Sequence, residues 1–331
     1  MMKALVTGAN GFIGSSVVKE LLKDGAEVRV YIRGGSDVRT IEHLDIDGYY
    51  GDIRDADPLK KALTGCDTLF HLAAINAYWI SHSKMFYEVN VEGTKAVLAA
   101  ALECGVKKVV YTSSAVTLGY HGATKLVAED AEYNLSDVRD HYVRSKYLAE
   151  AEALSFVKKG LPVVVVNPTT VIGAHDIKPT PSGKMILDIV TGKMPGCFDG
   201  GANFVDVEDV ACGHVLAAKK GKPGERYILG NKNMKWKEYY QLIADFAKVE
   251  PPKRKITPRI ALAMGYMYHV SGNIVQTQPL LTGPMVKMLS MYGYFNCSKA
   301  LKELGMPQTH VKTTLDKSIK WFRENGYLKI E

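Results

Sequence analysis

The sequence is short of the residues that build disulfide frameworks and metal sites. Its five cysteines, at 66, 104, 197, 212 and 297, are scattered through 331 residues, with no CxxC and no paired histidines. That spacing gives no zinc ligand set, so no metal is expected, and it fits a reducing, cytoplasmic compartment. No apolar run reaches membrane-spanning length without a charge or a glycine, so no spanning helix is expected. The chain runs from Met1 straight into a strand pattern, which leaves no room for a signal peptide. Long blocks of one charge sign are also missing. The formal charge of +7 comes from 42 basic and 35 acidic side chains, and the basic ones form short clusters such as Lys107-Lys108 and Lys253-Arg254-Lys255. With no stripe of interleaved basic and aromatic residues, nucleic acid is not an expected partner, although the excess charge mildly favours anionic ligands.

What is present begins at residue 7. Thr7-Gly-Ala-Asn-Gly-Phe-Ile-Gly14 follows the apolar run Ala4-Leu5-Val6 and opens an amphipathic pattern carried by Ile13, Val17, Val18, Leu21 and Leu22. In that context Gly8 permits a tight turn, Gly11 lets backbone approach a pyrophosphate, and Gly14 lets the helix pack on the strand. Free N–H groups at the helix start would face the phosphates. The pattern predicts a dinucleotide site.

Apolar runs then alternate with helical patterns. Strands are predicted at 3–6, 27–32, 48–50, 68–72, 109–112 and 163–166, and helices at 12–24, 57–63, 84–104 and 141–159. The continuous run Val163-Val164-Val165-Val166 suits a parallel strand buried on both faces. These features predict an α/β fold: a doubly wound parallel Rossmann sheet with a smaller, mostly helical C-terminal substrate lobe. Residues 1–172 are assigned to the nucleotide domain, with 203–230 returning to it, and 173–202 and 231–331 to the lobe. The stretch 173–202 reads as a loop-rich insertion. A strand at 203–207, a helix at 208–219, a strand at 226–229 and helices at 235–248 and 313–325 follow.

Tyr142-Val-Arg-Ser-Lys146 lies at the start of a predicted helix, so its phenol and ammonium share a face. A free tyrosine has a pKa of about 10, too high for proton trading near neutrality. An adjacent cation stabilises the phenolate, so Lys146 is expected to lower the pKa of Tyr142. Ser113 and Ser114 sit at the end of the strand 109–112, where ligands of open parallel sheets bind. A serine hydroxyl there can donate to a substrate oxygen while the tyrosine moves its proton. His71 reads as a satisfied core histidine.

Together TGANGFIG, Gly51-Asp52-Ile53-Arg54-Asp55, His71-Leu72-Ala73-Ala74, Asn90, TSSA and YVRSK resemble the extended short-chain dehydrogenases/reductases of the NAD-dependent epimerase/dehydratase family. Nearly the whole chain takes part. Asn167-Pro-Thr-Thr-Val-Ile-Gly, Gly224-Glu-Arg-Tyr-Ile-Leu-Gly230 and Trp321-Phe-Arg-Glu-Asn-Gly326 resemble the dihydroflavonol-4-reductase-like branch and the hopanoid-associated sugar-epimerase-like proteins. The resemblance implies Ser114 as the catalytic serine, Tyr142 as acid/base, Lys146 as its electrostatic partner and ribose contact, and Asn90 as a helical asparagine near them. It also implies a cofactor site of Gly8, Asn10, Gly11, Phe12, Ile13, Gly14, Leu72, Ala73, Ala74 and Thr112. Asp52 would accept the adenine amino group beside Ile53. Pro168, Thr169 and Val171 would line the nicotinamide, and Ser182 would touch a phosphate. A homodimer through the helices 84–104 and 141–159 is a further implication.

The second strand ends Val30-Tyr31-Ile32-Arg33, with no acid at the tip to hold a ribose 2′-hydroxyl. Arg33, helped by Arg39, can pair with a 2′-phosphate instead, which predicts NADP ahead of NAD. The expected function is a carbonyl/alcohol oxidoreductase with a Ser-Tyr-Lys site. The alternative is a nucleotide-sugar epimerase using the same residues. A dehydratase would need an acid and a base where Ala115 and Val116 stand. Arg226, Arg254 and Arg259 sit in no motif for a sugar diphosphate, while 260–270 and Met285, Met288, Leu289, Met291, Tyr292 and Tyr294 are strongly apolar. That surface predicts a small apolar or aromatic substrate, or a peripheral membrane contact.

Overall fold

A computed structural model describes residues 1–257, 260 and 282–328. Its main sheet holds seven parallel strands: β1 (Lys3–Thr7), β2 (Glu27–Ile32), β3 (Asp47–Tyr50), β4 (Thr68–His71), β5 (Lys108–Thr112), β6 (Val163–Pro168) and β10 (Arg226–Leu229). Their order is β10-β6-β5-β4-β1-β2-β3. Alternate residues feed two separate cores, as the two-residue period of a strand requires. Val6, Val30, Phe70, Val110 and Val164 pack with α1 (Phe12–Lys23) and α7 (Val207–Lys220). Leu5, Tyr31, Leu69, Val109 and Val163 pack with α2 (Ala56–Leu63), α4 (Thr94–Glu103) and α5 (His141–Lys158). The chain starts at β1, builds outward to β3, then returns to β4 on the other side of β1. A crevice therefore opens beyond the carboxyl ends of β1 and β4.

A second core lies under a four-stranded sheet. There β9 (Gly201–Asp206) pairs with β7 (Thr170–Ile172), β11 (Lys232–Lys235) and β13 (Tyr292–Gly293). Phe204, Tyr239, Tyr240 and Phe322 fill it, from β9, α8 (Trp236–Ala247) and α9 (Val311–Glu324). Within 203–230, α7 and β10 lie with the main sheet, and β9 lies in the four-stranded one. A two-stranded ribbon joins β8 (Cys197–Phe198) to β12 (Lys255–Ile256).

Three readings of the sequence need correction. The insertion 173–202 contains a helix, α6 (Pro181–Val190), whose N-cap Thr180 accepts from the Gly183 N–H; Thr180-Pro181 was its signal. The helix 84–104 is α3 (Lys84–Tyr87) and α4 joined by a π turn, Glu88–Gly93, which holds Asn90. Finally, α2 starts at Ala56 after Asp55, one residue before the expected start at 57. Pro58 is tolerated in its first turn because no N–H is needed there.

Candidate active site

The glycine turn is shaped by contacts that leave no room for side chains. Gly8 has φ +68°, and a Cβ there would lie 2.7 Å from the Ala73 nitrogen across the crevice. A Cβ on Gly14 would lie 2.1 Å from the Gly8 carbonyl oxygen. Gly11 is the N-cap of α1, without a side-chain cap and without an acid in the first turn. The first N–H groups of α1 are thus left for an anion. Phe12 and Ile13 seat the helix start on the main core. Behind the turn, the Thr7 hydroxyl oxygen accepts from the Leu72 and Ala73 N–H groups, both at 3.2 Å, and meets His71 Nδ1 at 2.7 Å. His71 Nε2 meets the Thr94 hydroxyl at 3.0 Å, so both ring nitrogens are satisfied. Burial holds this ring far below the ordinary imidazole range, at about 3. Ala74 is exposed beyond it. This cradle, which a Cβ would fill, fits a dinucleotide.

Arg33 is exposed at the end of β2; the Arg54 guanidinium bonded to Asp52, and more weakly the Arg33 charge, hold the Asp52 carboxyl below its ordinary range. Asn10 lies in the glycine turn. Its Nδ2 donates to the Asp37 carbonyl at 3.1 Å, which ties the loop after β2 to the glycine turn. That loop also supplies an acid, and Asp37 grips the Arg39 guanidinium at 2.8 and 3.0 Å. Arg39 is therefore already paired. Asp52 is clamped as well, accepting from Arg54 Nε at 2.9 Å and Nη2 at 2.7 Å. Oδ1 also accepts from the Arg54 backbone N–H at 3.0 Å, so Oδ2 is the oxygen that keeps a lone pair for one further donor. Ile53 is buried against Gly93, where a Cβ would lie 2.6 Å from its Cδ1.

The acid/base group starts at Asp140, which caps α5 by accepting from the Val143 N–H at 2.9 Å. Tyr142 and Lys146 follow on one buried face. The pKa of Tyr142 contradicts the expectation. Burial pushes the phenol up, to about 12; the adjacent Ser114 hydroxyl counteracts this, and the Asp140 charge adds to it. The sequence shows the neighbouring cation but not the desolvation, and desolvation wins. Lys146 instead donates to the Thr112 carbonyl at 2.8 Å, with its Nζ 5.1 Å from the Tyr111 ring centroid. Burial lowers the ammonium to about 8, while Glu150 opposes the fall. Ser114 is extended, and its Oγ accepts from Val116 N at 3.5 Å. The buried Ser113 Oγ has no hydrogen-bond partner among the described residues.

Asn90 lies in the π turn and bonds to Ser145, between Tyr142 and Lys146 in sequence. Its Oδ1 accepts from Ile75 N at 2.7 Å, and its Nδ2 donates to Ser145 Oγ at 2.9 Å and Ile75 O at 3.2 Å. It fixes the loop after β4 to α5. Ser182 is diverted, because its hydroxyl donates to the Val171 carbonyl at 2.6 Å, spending the proton a phosphate would take. Pro168 ends β6, and Thr169 Oγ1 donates to Asn203 Oδ1 at 2.9 Å.

Around Tyr142 the walls are apolar. Phe86, Val116, Leu135, Val138, Val143 and Met288 are buried with it, and Ile75, Tyr78, Tyr120 and Met291 pack against them. The Tyr78 ring meets Tyr142 edge-on, with centroids 5.9 Å apart. Sequence reading missed Tyr78, Tyr120 and the 135–138 turn, which come from separate loops. Met288 and Met291 do reach this cluster. Met285 and Leu289 instead fill the core under the second sheet. The apolar segment 261–270 and Arg259 lie outside the described residues.

The model of the NAD dependent epimerase/dehydratase family matches residues 4–230. A Synechocystis sp. protein bearing a dihydroflavonol 4-reductase name is 36% identical over 330 residues, covering 98% of this chain and 96% of its own. Sterol demethylase protein B of Methylococcus capsulatus is 30% identical over 331 residues, covering 99% of this chain and all of its own. The crystal structure of gox2253 superposes with a TM-score of 0.89 at 37% identity, over 99% of this chain and 100% of that one. The chain belongs to the NAD dependent epimerase/dehydratase family and is an NAD(P)-dependent oxidoreductase of the extended short-chain dehydrogenase/reductase type.

Proposed function

We propose that this enzyme is an NADP-dependent oxidoreductase that interconverts a carbonyl and an alcohol on a small apolar or aromatic substrate. The observation that carries the reading is the setting of Tyr142 among apolar and aromatic side chains. The names of two relatives, one for a dihydroflavonol and one for a sterol, point to ring systems of that kind. The substrate oxygen would meet the Tyr142 phenol with Ser114 alongside. A phenol raised to about 12 stays protonated at neutral pH, which suits it to donate to a carbonyl oxygen. Lys146, fixed on Thr112, would face the charge that remains. Gly8, Gly11 and Gly14 would seat the pyrophosphate and Arg33 a 2′-phosphate. When bound, the dinucleotide supplies or accepts the hydride.

The epimerase alternative asks for arginines on a sugar diphosphate. Of the arginines named above, Arg226 is spent on Glu150 at 2.8 Å. NADPH consumption across a panel of aromatic and alicyclic aldehydes and ketones tests the choice. Turnover of these carbonyls supports the reductase. Epimerised nucleotide sugar without net cofactor consumption would replace it.

A homodimer through α4 and α5 is part of the same reading, supported by Tyr147 and Leu148, which are exposed on α5. A monomeric mass in solution would remove it. Five unpaired cysteines support a reducing, cytoplasmic setting. Among the described residues no helix is long and apolar enough to cross a membrane.

A further inference from the structure

Glu150 lies one turn beyond Lys146 on α5, so Tyr142, Lys146 and Glu150 share a face. Its side chain is almost wholly buried, at 2% exposure. Oε2 accepts from Thr117 Oγ1 and Asn167 Nδ2, both at 2.7 Å. Oε1 lies 2.8 Å from Arg226 Nε on β10, a close ion pair rather than a straight hydrogen bond. The same two groups reach Ser114, whose carbonyl oxygen is 2.8 Å from Thr117 Oγ1 and 3.2 Å from Asn167 Nδ2. One carboxylate therefore ties the turn bearing Ser114 to the helix bearing Tyr142 and Lys146. Core filling alone does not call for a charge here, because apolar replacements of buried ion pairs are often as stable.

We propose that Glu150 is a positioning residue, which sets the Ser114 turn through Thr117 and Asn167 and supplies the counter-charge that keeps Lys146 protonated. The proposal rests on the hydride-transfer reading above. Lys146 is faced by Tyr142 and Glu150 from its own helix, by the Tyr111 ring and Thr112 carbonyl from β5, and by His71 from β4. His214 of α7 stands behind Thr112. Burial keeps both histidines neutral and both phenols protonated, so Glu150 is the anion of this set. Glu150 itself is faced by Arg226, whose Nη1 also donates to the Glu129 carbonyl. Without Glu150, nothing in the set opposes the desolvation that already lowers Lys146. The alkaline limb of the rate profile, set by loss of that charge, would move to lower pH.

The test compares E150Q, the double variant E150Q/R226M, and T117V. The double variant removes both charges, so no unpaired guanidinium stays buried if E150Q alone fails to fold. Expected for it are NADPH affinity within about twofold of wild type, kcat lowered about tenfold on a carbonyl the wild type reduces, and an alkaline limb about one pH unit lower. T117V leaves the ion pair in place, and it is expected to lower kcat about tenfold with the limb unmoved. A folded double variant with the wild-type kcat and limb, or a T117V with the wild-type kcat, overturns the proposal. Wild-type turnover in Y142F would instead overturn the hydride-transfer reading itself, so the two failures are distinguishable.

Discussion

Lys146 reaches past Tyr142 to the carbonyl oxygen of Thr112, 2.8 Å from its Nζ. The Thr112 hydroxyl in turn meets His214 Nε2 at 2.9 Å. His214 Nδ1 donates to the Val210 carbonyl at 2.7 Å, so Nε2 is the accepting nitrogen and Thr112 the donor. The ammonium is thereby fixed at the end of β5 by a chain of buried partners reaching into α7. It acts on the site from a set position, and its charge is held against the cost of burial.

Lys146→Met keeps the volume and removes that charge. The expected result is a loss of about 10²–10⁴ in kcat/KM. The thermal midpoint should not fall, because a desolvated cation is lost with it. Steady-state rates and a melting curve on one preparation check both parts.

Asp140→Asn should separate capping from charge. Burial raises this carboxyl to about 6, against an ordinary value of 3.8. A group whose folded pKa lies above its unfolded one stabilises the fold at low pH and loses that contribution as pH rises through 6. Asparagine caps a helix as well as aspartate does. The variant should be more stable than wild type by about 1–3 kcal/mol at pH 8 and equal to it near pH 3.5. Urea titrations at the two pH values measure the difference.

Gly14→Ala places a methyl 2.1 Å from the backbone oxygen of Gly8. Backbone cannot yield as a side-chain tip can. A cost of about 1–3 kcal/mol, with loss of NADPH binding, is expected from thermal and fluorescence titrations.

Arg33→Asp should reverse the cofactor preference. One charge-assisted contact to a 2′-phosphate is worth about 1.5–3 kcal/mol, or roughly 10–100-fold in the ratio of NADPH to NADH dissociation constants. An unchanged ratio removes Arg33 from the cofactor site.

Much of this was legible from local signals. Four valines at 163–166 marked β6, and the glycines at 8, 11 and 14 placed the turn at the crevice before any contact was known. The spacing of Tyr142 and Lys146 put both on one helical face. What could not be read depends on distance along the chain. Strands such as β8 and β13 have two residues each and no alternation to detect. The walls around Tyr142 are assembled from residues near 75–80, 86, 116–120, 135–138 and 288–291, which no spacing links. The sign of the Tyr142 shift depended on burial, and the partners of Asn90 and Ser182 lie on segments distant in sequence. Asp37, five residues past the end of β2, reaches the glycine turn only because Asn10 holds its carbonyl.

The central claim is that Tyr142 gives a proton to a carbonyl oxygen in an apolar pocket while hydride moves from NADPH. Reduction of an aromatic ketone with 4-deuterated NADPH, followed by mass spectrometry of the product, measures it directly. Deuterium at the new carbinol carbon is predicted, with the yield falling about 100-fold or more in Y142F. Unlabelled product, or equal label from wild type and Y142F, would contradict it.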